Sequence, residues 1–330
     1  MKKLVLIDSN AVIHRAYHAL PKTMSTRRGE QTNAIYGFVT TLIKTLEDLH
    51  PDYVAAAFDV SKATFRTEQY AEYKATRVKA DQELYDQIPR IKEVLTAFNI
   101  PIYEKEGYEA DDCIGTIVKS CHDHNDNCKH LPDELEVYIV SGDKDIYQLI
   151  DGNIFVYSLR KGLSQMAVVD HKTIQEEYNL DPEDFIDLKA LAGDPSDNIP
   201  GVPGIGPKTA TDLIQKFDDL ENLYKKLEEK SPEGFAKEYN VKERIAKLLT
   251  EHKDQAFLSQ SLATIYKEVP LEFDLNDAKW GNYDKENVRN LFSELGFHSL
   301  LKRFGVEQKD EVKTEQAKKQ AEKDKQLKLL

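Results

Sequence analysis

The chain has 330 residues, a formal net charge of −13, and 40% hydrophobic against 31% charged residues. Such a length buries a large core, in one large domain or two closely packed ones, and no apolar run approaches the ~20 residues of a membrane span. An acidic balance argues against nucleic acid as a partner only where the charge is evenly spread, and here it is not. Cys113, Cys121 and Cys128 are odd in number and fit no pairing pattern, which points to a reducing, cytoplasmic setting.

In chain order, "KLVLI" is a short apolar run ending at Asp8, and its early aspartate makes the N-terminus read as a strand rather than a signal peptide. Ala34 to Leu49 carries apolar residues at 35, 38, 39, 42, 43 and 46, the spacing of a helix. "YVAAAF" is a second strand-like run, ending at Asp59. The segment from Lys62 to Lys79 then has five basic and two acidic residues, with Phe65, Tyr70 and Tyr73 between them. Charge for a backbone and rings for stacking suit a single-strand channel, although a solvated helix face has a similar composition. Leu84 to Phe98 predicts a helix, "PIYE" a short strand, and Asp111 to His122 a further helix. "CHDHNDNCKH" (121–130) matches no standard zinc spacing and reads as a surface insertion. "VYIVSG" is the third run ending in an aspartate, Asp143. Strands alternating with helices imply a sheet covered on both faces, with ligands bound beyond the carboxyl ends of the strands.

After about Met166 the pattern is helical, with Leu180 to Leu191 as one helix of that region. The stretch 307–330 holds seven Lys against six Asp or Glu and no aromatic residue, and reads as a solvated helix or a charged tail.

Nine acids fall at strand ends, helix starts or turns: Asp8 and Asp59, Glu109, Asp111 and Asp112 in "YEADD", Asp143 and Asp145 in "SGDKD", and Asp194 and Asp197 in "LAGDPSDN". Any one of them could cap a helix or fill a turn. Together they crowd one rim, where two charges about 4 Å apart repel by roughly 4 kcal/mol at an effective dielectric of 20. Hard divalent cations with oxygen ligands relieve that repulsion. No His is interleaved, which disfavours zinc or iron. Two such ions would suit phosphodiester hydrolysis.

"GVPGIGPKTA" places Gly201, Gly204 and Gly206 around Pro203 and Ile205, with Lys208 and Thr209 opening a helix that ends near Phe217. It lacks the spacing of a Walker loop and matches a helix-hairpin-helix, which grips a DNA backbone without reading bases. Its carbonyls suit a monovalent cation such as K+.

"FDVSKATFR", "YKATR", "YEADD", "SGDKDIYQL" and "LAGDPSDNIPGVPGIGPKTA" closely resemble the 5′-nuclease family that includes the nuclease domain of bacterial DNA polymerase I, phage 5′ nucleases and flap endonucleases. The resemblance runs from about Lys3 to Gly305. It implies an α/β fold with a Rossmann-like, mostly parallel sheet, a helical arch at about 62–90 within a nuclease core (1–170), and a helical DNA-binding region (171–306) with the hairpin at 199–217. It further implies 5′–3′ exonuclease and flap endonuclease activity on DNA, with two or more Mg2+ or Mn2+ ions held by the nine acids. Lys74 and Arg77 resemble the arch residues that steer the scissile phosphate, and three-residue spacing would give them one helix face. Arg66 and Tyr73 lie nearby as expected DNA contacts, and Tyr36 resembles an aromatic on which a base stacks. The expected partners are DNA with 5′ flaps, nicks or 5′ ends, and a DNA polymerase acting in cis or in trans; a monomer is expected, off the membrane, in a bacterial cytoplasm beside the nucleoid. Two other readings share some of these features. A ribonuclease of the PIN type has no need of the glycine hairpin, and a junction-binding module has no use for nine acids.

Overall fold

A computed structural model describes residues 1–60, 63–122, 128–129, 134–161 and 165–304. Lys62 at the start of the basic segment, most of the 121–130 insertion and the 307–330 tail lie outside the described residues. The chain opens with β1 (Lys2–Asp8), and Asp8 caps α1 (Ser9–Ala19) by accepting from the Ala11 amide. Next come α2 (Asn33–Leu49), β2 (Tyr53–Ala57), α3 (Phe65–Gln69), α4 (Gln82–Tyr85), α5 (Ile88–Ala97) and β3 (Ile102–Tyr103). α6 (Ala110–His122), β4 (Cys128–Lys129) and β5 (Leu135–Ser141) lead to a 3-10 turn at Asp145–Leu149, then to β6 (Ile154–Lys161) and β7 (Gln165–Val169). The helical region comprises α7 (His171–Tyr178), α8 (Asp184–Ala192), α9 (Pro207–Phe217), α10 (Leu220–Glu228), α11 (Pro232–Tyr239), α12 (Glu243–Glu251) and α13 (Lys253–Ala263). β8 (Phe273–Asp274), α14 (Lys285–Glu294) and α15 (His298–Arg303) close the described chain.

The main sheet has the order β3-β2-β1-β5-β6-β7 and is parallel except for the β6–β7 pair. Alternation along β1 sends Val5 and Ile7 to one face and Leu4 and Leu6 to the other, and each pair joins a separate buried cluster. The strand order reverses between β1 and β5, so a crevice opens beyond their carboxyl ends. Asp8 lies at that point. The helices from α8 to α13 build their own core around Leu191, Leu213 and Phe235. α14 and α15 instead return to the sheet layer, where Phe292 and Phe304 pack on Phe98.

Three expected helices differ, the one over Leu180 to Leu191 starting only at Asp184. The helix expected over Leu84 to Phe98 is divided into α4 and α5, because Pro89 fits only the first turn of a helix. The expected arch helix stops at Gln69, and the chain then runs through turns in which Lys74 is left-handed, at φ 54°. The Lys74 amide donates to the Asp197 carbonyl at 2.8 Å, so contact with the opposite loop replaces a helical hydrogen bond. Lys74 and Arg77 therefore do not share a helix face.

Candidate active site

Asp8, Asp59, Glu109, Asp111, Asp143 and Asp145 line one cavity of about 490 Å³ at the carboxyl rim. Four chain segments distant in sequence supply them. Asp8 accepts from the Ser141 hydroxyl at 2.7 Å across the β1–β5 switch point. Asp59 accepts from the Ala110 amide at 2.7 Å, and its own amide donates to Asn10 at 3.2 Å. The Asp145 amide donates to Asp143, whose amide in turn donates to Ser141. Ser141 and Asn10 thus orient acids on both sides of the crevice. They escaped the sequence reading, although each stands two residues from a rim acid, in "SGD" and "DSN".

Three basic side chains answer these acids. Lys74 Nζ lies 2.7 Å from Glu109 and 3.7 Å from Asp197. Arg77 pairs with Asp197, and Lys189 pairs with both Asp145 and Asp194. Lys189 was also missed; only its place five residues before Asp194 hints at it. Asp194 and Asp197 stand behind the cavity, on a loop whose Ser196 reaches it. His14 on α1 lines the same cavity.

Four expected site residues are placed where they cannot act as expected. Asp112 is fully buried and held by both terminal nitrogens of Arg66, at 2.7 and 2.8 Å, so its oxygens are committed to a guanidinium rather than to an ion. Arg66 is 1% exposed and cannot reach DNA. Tyr73 is buried with its hydroxyl donating toward Glu109 at 3.2 Å, so its ring is unavailable for stacking. Gly201 is buried against Gly193, and a Cβ there would lie 2.2 Å from the Gly193 nitrogen, which leaves no room for a phosphate. Gly204 (φ 85°) and Gly206 are exposed, as is Lys208 at the start of α9, with Thr209 beside it. Tyr36 is half-buried on α2, edge-on to Phe297 at 5.2 Å, and does not line the cavity.

Loss of surrounding water raises Asp8 to about 7, with the charges of Asp143 and Asp59 adding to it. Burial likewise raises Asp145 to about 7, helped by Asp143 and opposed by Lys189. Asp111 and Asp59 are also raised, by burial first and then by Glu109. Asp194 is lowered, because Lys189 and Ser196 outweigh its burial. The carboxylates offer oxygen donors and outnumber the cations beside them, which fits a hard divalent cation, with His14 the one imidazole among the described residues lining the cavity. Among the described residues no three of these side chains yet converge on one point. A carboxyl raised on folding stabilises the fold fully below its unfolded pKa of about 3.9, and that contribution is lost as pH rises through the folded value. In chelator, Asp8→Asn should therefore melt higher than the wild type at pH 8, with a smaller difference at pH 5. Thermal melts at both pH values check this, and equal shifts would count against it.

A family model described as the 5′-3′ exonuclease N-terminal resolvase-like domain matches residues 3–179, more than half of the chain. The chain belongs to the 5′-3′ exonuclease family. A second family model, the 5′-3′ exonuclease C-terminal SAM fold, matches 180–286. The chain is 43% identical over 304 residues to DNA polymerase I of Bacillus subtilis, covering 92% of this chain and 32% of that protein. It is 40% identical over 313 residues to DNA polymerase I of Bacillus caldotenax, covering 94% and 33%. It thus spans about a third of the length of these relatives. Its fold is similar to a bacteriophage T5 5′-exonuclease with bound zinc ions, at a TM-score of 0.61 and 22% identity over 80% of this chain and 90% of that one. It is also similar to the catalytic core of Rad2 in complex with DNA substrate, at a TM-score of 0.56 and 19% identity over 89% and 87%. No helix among the described residues is long and apolar enough to cross a membrane.

Proposed function

We propose that this exonuclease is a divalent-metal-dependent nuclease that cuts phosphodiester bonds where single- and double-stranded DNA meet, at 5′ ends, nicks and 5′ flaps. The observation that carries the reading is that six carboxylates line one cavity, which Lys74 and Arg77 also line. Asp8, Asp59, Glu109, Asp111, Asp143 and Asp145 would hold Mg2+ or Mn2+, two or more ions, with Asp194 and Asp197 approaching from the opposite loop. Bound there, such ions would supply activation of a water and stabilisation of the leaving oxygen. Asp112 contributes through Arg66, which steadies Glu109 at 3.4 Å.

The other residues bind and orient. Lys74 and Arg77 put positive charge where a phosphate would enter, and their present partners, Glu109 and Asp197, would be released to ions. Gly204, Gly206, Lys208 and Thr209 grip the duplex backbone, with K+ held at the hairpin carbonyls, and Tyr36 serves the DNA from the flank of the cavity. The chain works as a monomer, in the cytoplasm beside the nucleoid, with a DNA polymerase in cis or in trans; likeness to a third of DNA polymerase I supports that partner.

A metal titration on a 5′-flap DNA tests the reading. Cleavage should appear with Mg2+ or Mn2+ and vanish in chelator. Cleavage of RNA alone would favour the PIN-type reading, and binding without turnover a junction-binding module.

A further inference from the structure

Side chains that would touch neither ion nor phosphate converge on α13, with Ser259, Arg66, Asp112 and Gln148 buried and Gln255 half-buried. At its start, Gln255 Nε2 donates to the Gly201 carbonyl at 2.7 Å, and the Gly201 amide donates to Ser259 Oγ at 3.0 Å. Both backbone groups of the hairpin's buried glycine are therefore fixed by side chains one turn apart on one helix. Gly201 is itself locked to the acid-bearing loop. It packs directly on Gly193, and Asp194 and Ile199 exchange both backbone hydrogen bonds at 2.9 Å.

The other end of α13 is held by the rim. A helix leaves its last carbonyls without intrahelical partners. Here Leu262 accepts from Arg66 Nε at 3.0 Å, Ala263 from Gln148 Nε2 at 3.0 Å and Thr264 from Arg66 Nη2 at 2.8 Å. The chain beyond is pinned as well: the Ile265 amide donates to Gln148 at 2.8 Å and the Tyr266 amide to Asp112 at 2.8 Å. Arg66 and Asp112 adjoin Glu109 and Asp111, and Gln148 lies in the 3-10 turn that begins at Asp145. One helix of about 16 Å thus has its start on the hairpin and its end on the two acid clusters.

We infer that α13 is a gauge: it fixes the distance between the hairpin and the acid rim, and so selects which phosphodiester bond is cut. Gln255 and Ser259 are its positioning residues. This rests on the reading of the hairpin as a duplex clamp. If the clamp can drift relative to the rim, a bound duplex presents neighbouring phosphates to the acids by turns. Binding need not weaken, because the phosphate-facing groups of α9 are untouched.

The test is the distribution of products from an end-labelled 5′-flap DNA with Mg2+ in single turnover. Arg66 is left alone, since its loss would strand the buried Asp112 charge. In Gln255→Met, a half-buried site whose loss strands no charge, and in Ser259→Ala, cutting at the main bond should fall about tenfold, while cuts one or two nucleotides away rise as the clamp drifts by about 3.4 Å of duplex axis per nucleotide. The dissociation constant for the flap and the rate on single-stranded DNA, which offers the hairpin no duplex, should each change less than about twofold by the same reasoning. Ser259→Thr, which keeps the hydroxyl, should restore the single main product. An unchanged distribution in Gln255→Met, or equal losses on flap and single strand, would overturn the inference. Failure of the wild type to cut the flap at all would instead strike the clamp and nuclease reading.

Discussion

Asp143→Ala is expected to lower cleavage by at least about 10²-fold at saturating Mg2+, while flap binding changes little. The size follows from the place of Asp143 in the cavity, where it faces Asp8 and Asp145 and raises the pKa of both. The specificity follows from how little the fold asks of it. Asp143 is exposed, and its hydrogen bonds are confined to its own turn, with the Asp145 amide and Ser141. Its removal takes away one of several crowded negative charges, so the metal-free protein should melt no lower than the wild type. Single-turnover rates, flap affinity and a melt in chelator measure these quantities on one preparation. A variant keeping more than about a tenth of the wild-type rate would remove Asp143 from the ion-holding set, since loss of one strong electrostatic contact at a reacting centre costs more than that.

The strand-end acids were legible because a buried parallel strand has a simple pattern, an apolar run that stops at a polar residue. "KLVLI", "YVAAAF" and "VYIVSG" bring Asp8, Asp59 and Asp143 to the rim as expected. The hairpin was legible for a related reason: positive φ at Gly201 and Gly204 restricts the residue type. The basic segment was not. Its charge and aromatic content are the same whether it faces solvent or folds onto an acidic rim, and the second is what occurs. Arg66 is the clearest case. Nothing in "TFRTE" distinguishes a surface arginine from one whose partners, Asp112 and the carbonyls of Leu262 and Thr264, arrive from far along the chain. Asp112 was misread with it, since adjacent Asp111 and Asp112 look equivalent in sequence but point to different sides of α6. The sequence pattern identifies which residues carry charge; only tertiary contact decides which charges neutralise each other.

Lys74→Ala and Arg77→Ala are each expected to reduce single-turnover cleavage by about 10² to 10³, and equilibrium binding to the same flap by about 1 kcal/mol or less. The pair need not share a helix for this, because both line the cavity from a run of turns. Their surroundings hold them charged. Against their burial, Glu109 and Asp197 raise Lys74, and Asp197 raises Arg77. A fixed cation beside the acids helps most where negative charge grows on the transferring phosphate, which is a transition-state effect rather than a ground-state one. The structure also supplies a competing account, in which these side chains only neutralise Glu109 and Asp197. In that case each alanine variant would melt markedly lower in chelator, Mg2+ would restore the melt, and the rate at saturating Mg2+ would be nearly normal. A third account, a phosphate anchor, predicts equal losses in rate and affinity. Lys74→Arg keeps the charge but changes its reach, so partial activity there would support charge at this position over packing. Rate, dissociation constant and melting temperature, taken together at fixed salt, separate the three, and equal losses of rate and affinity would demote the pair from catalysis to anchoring.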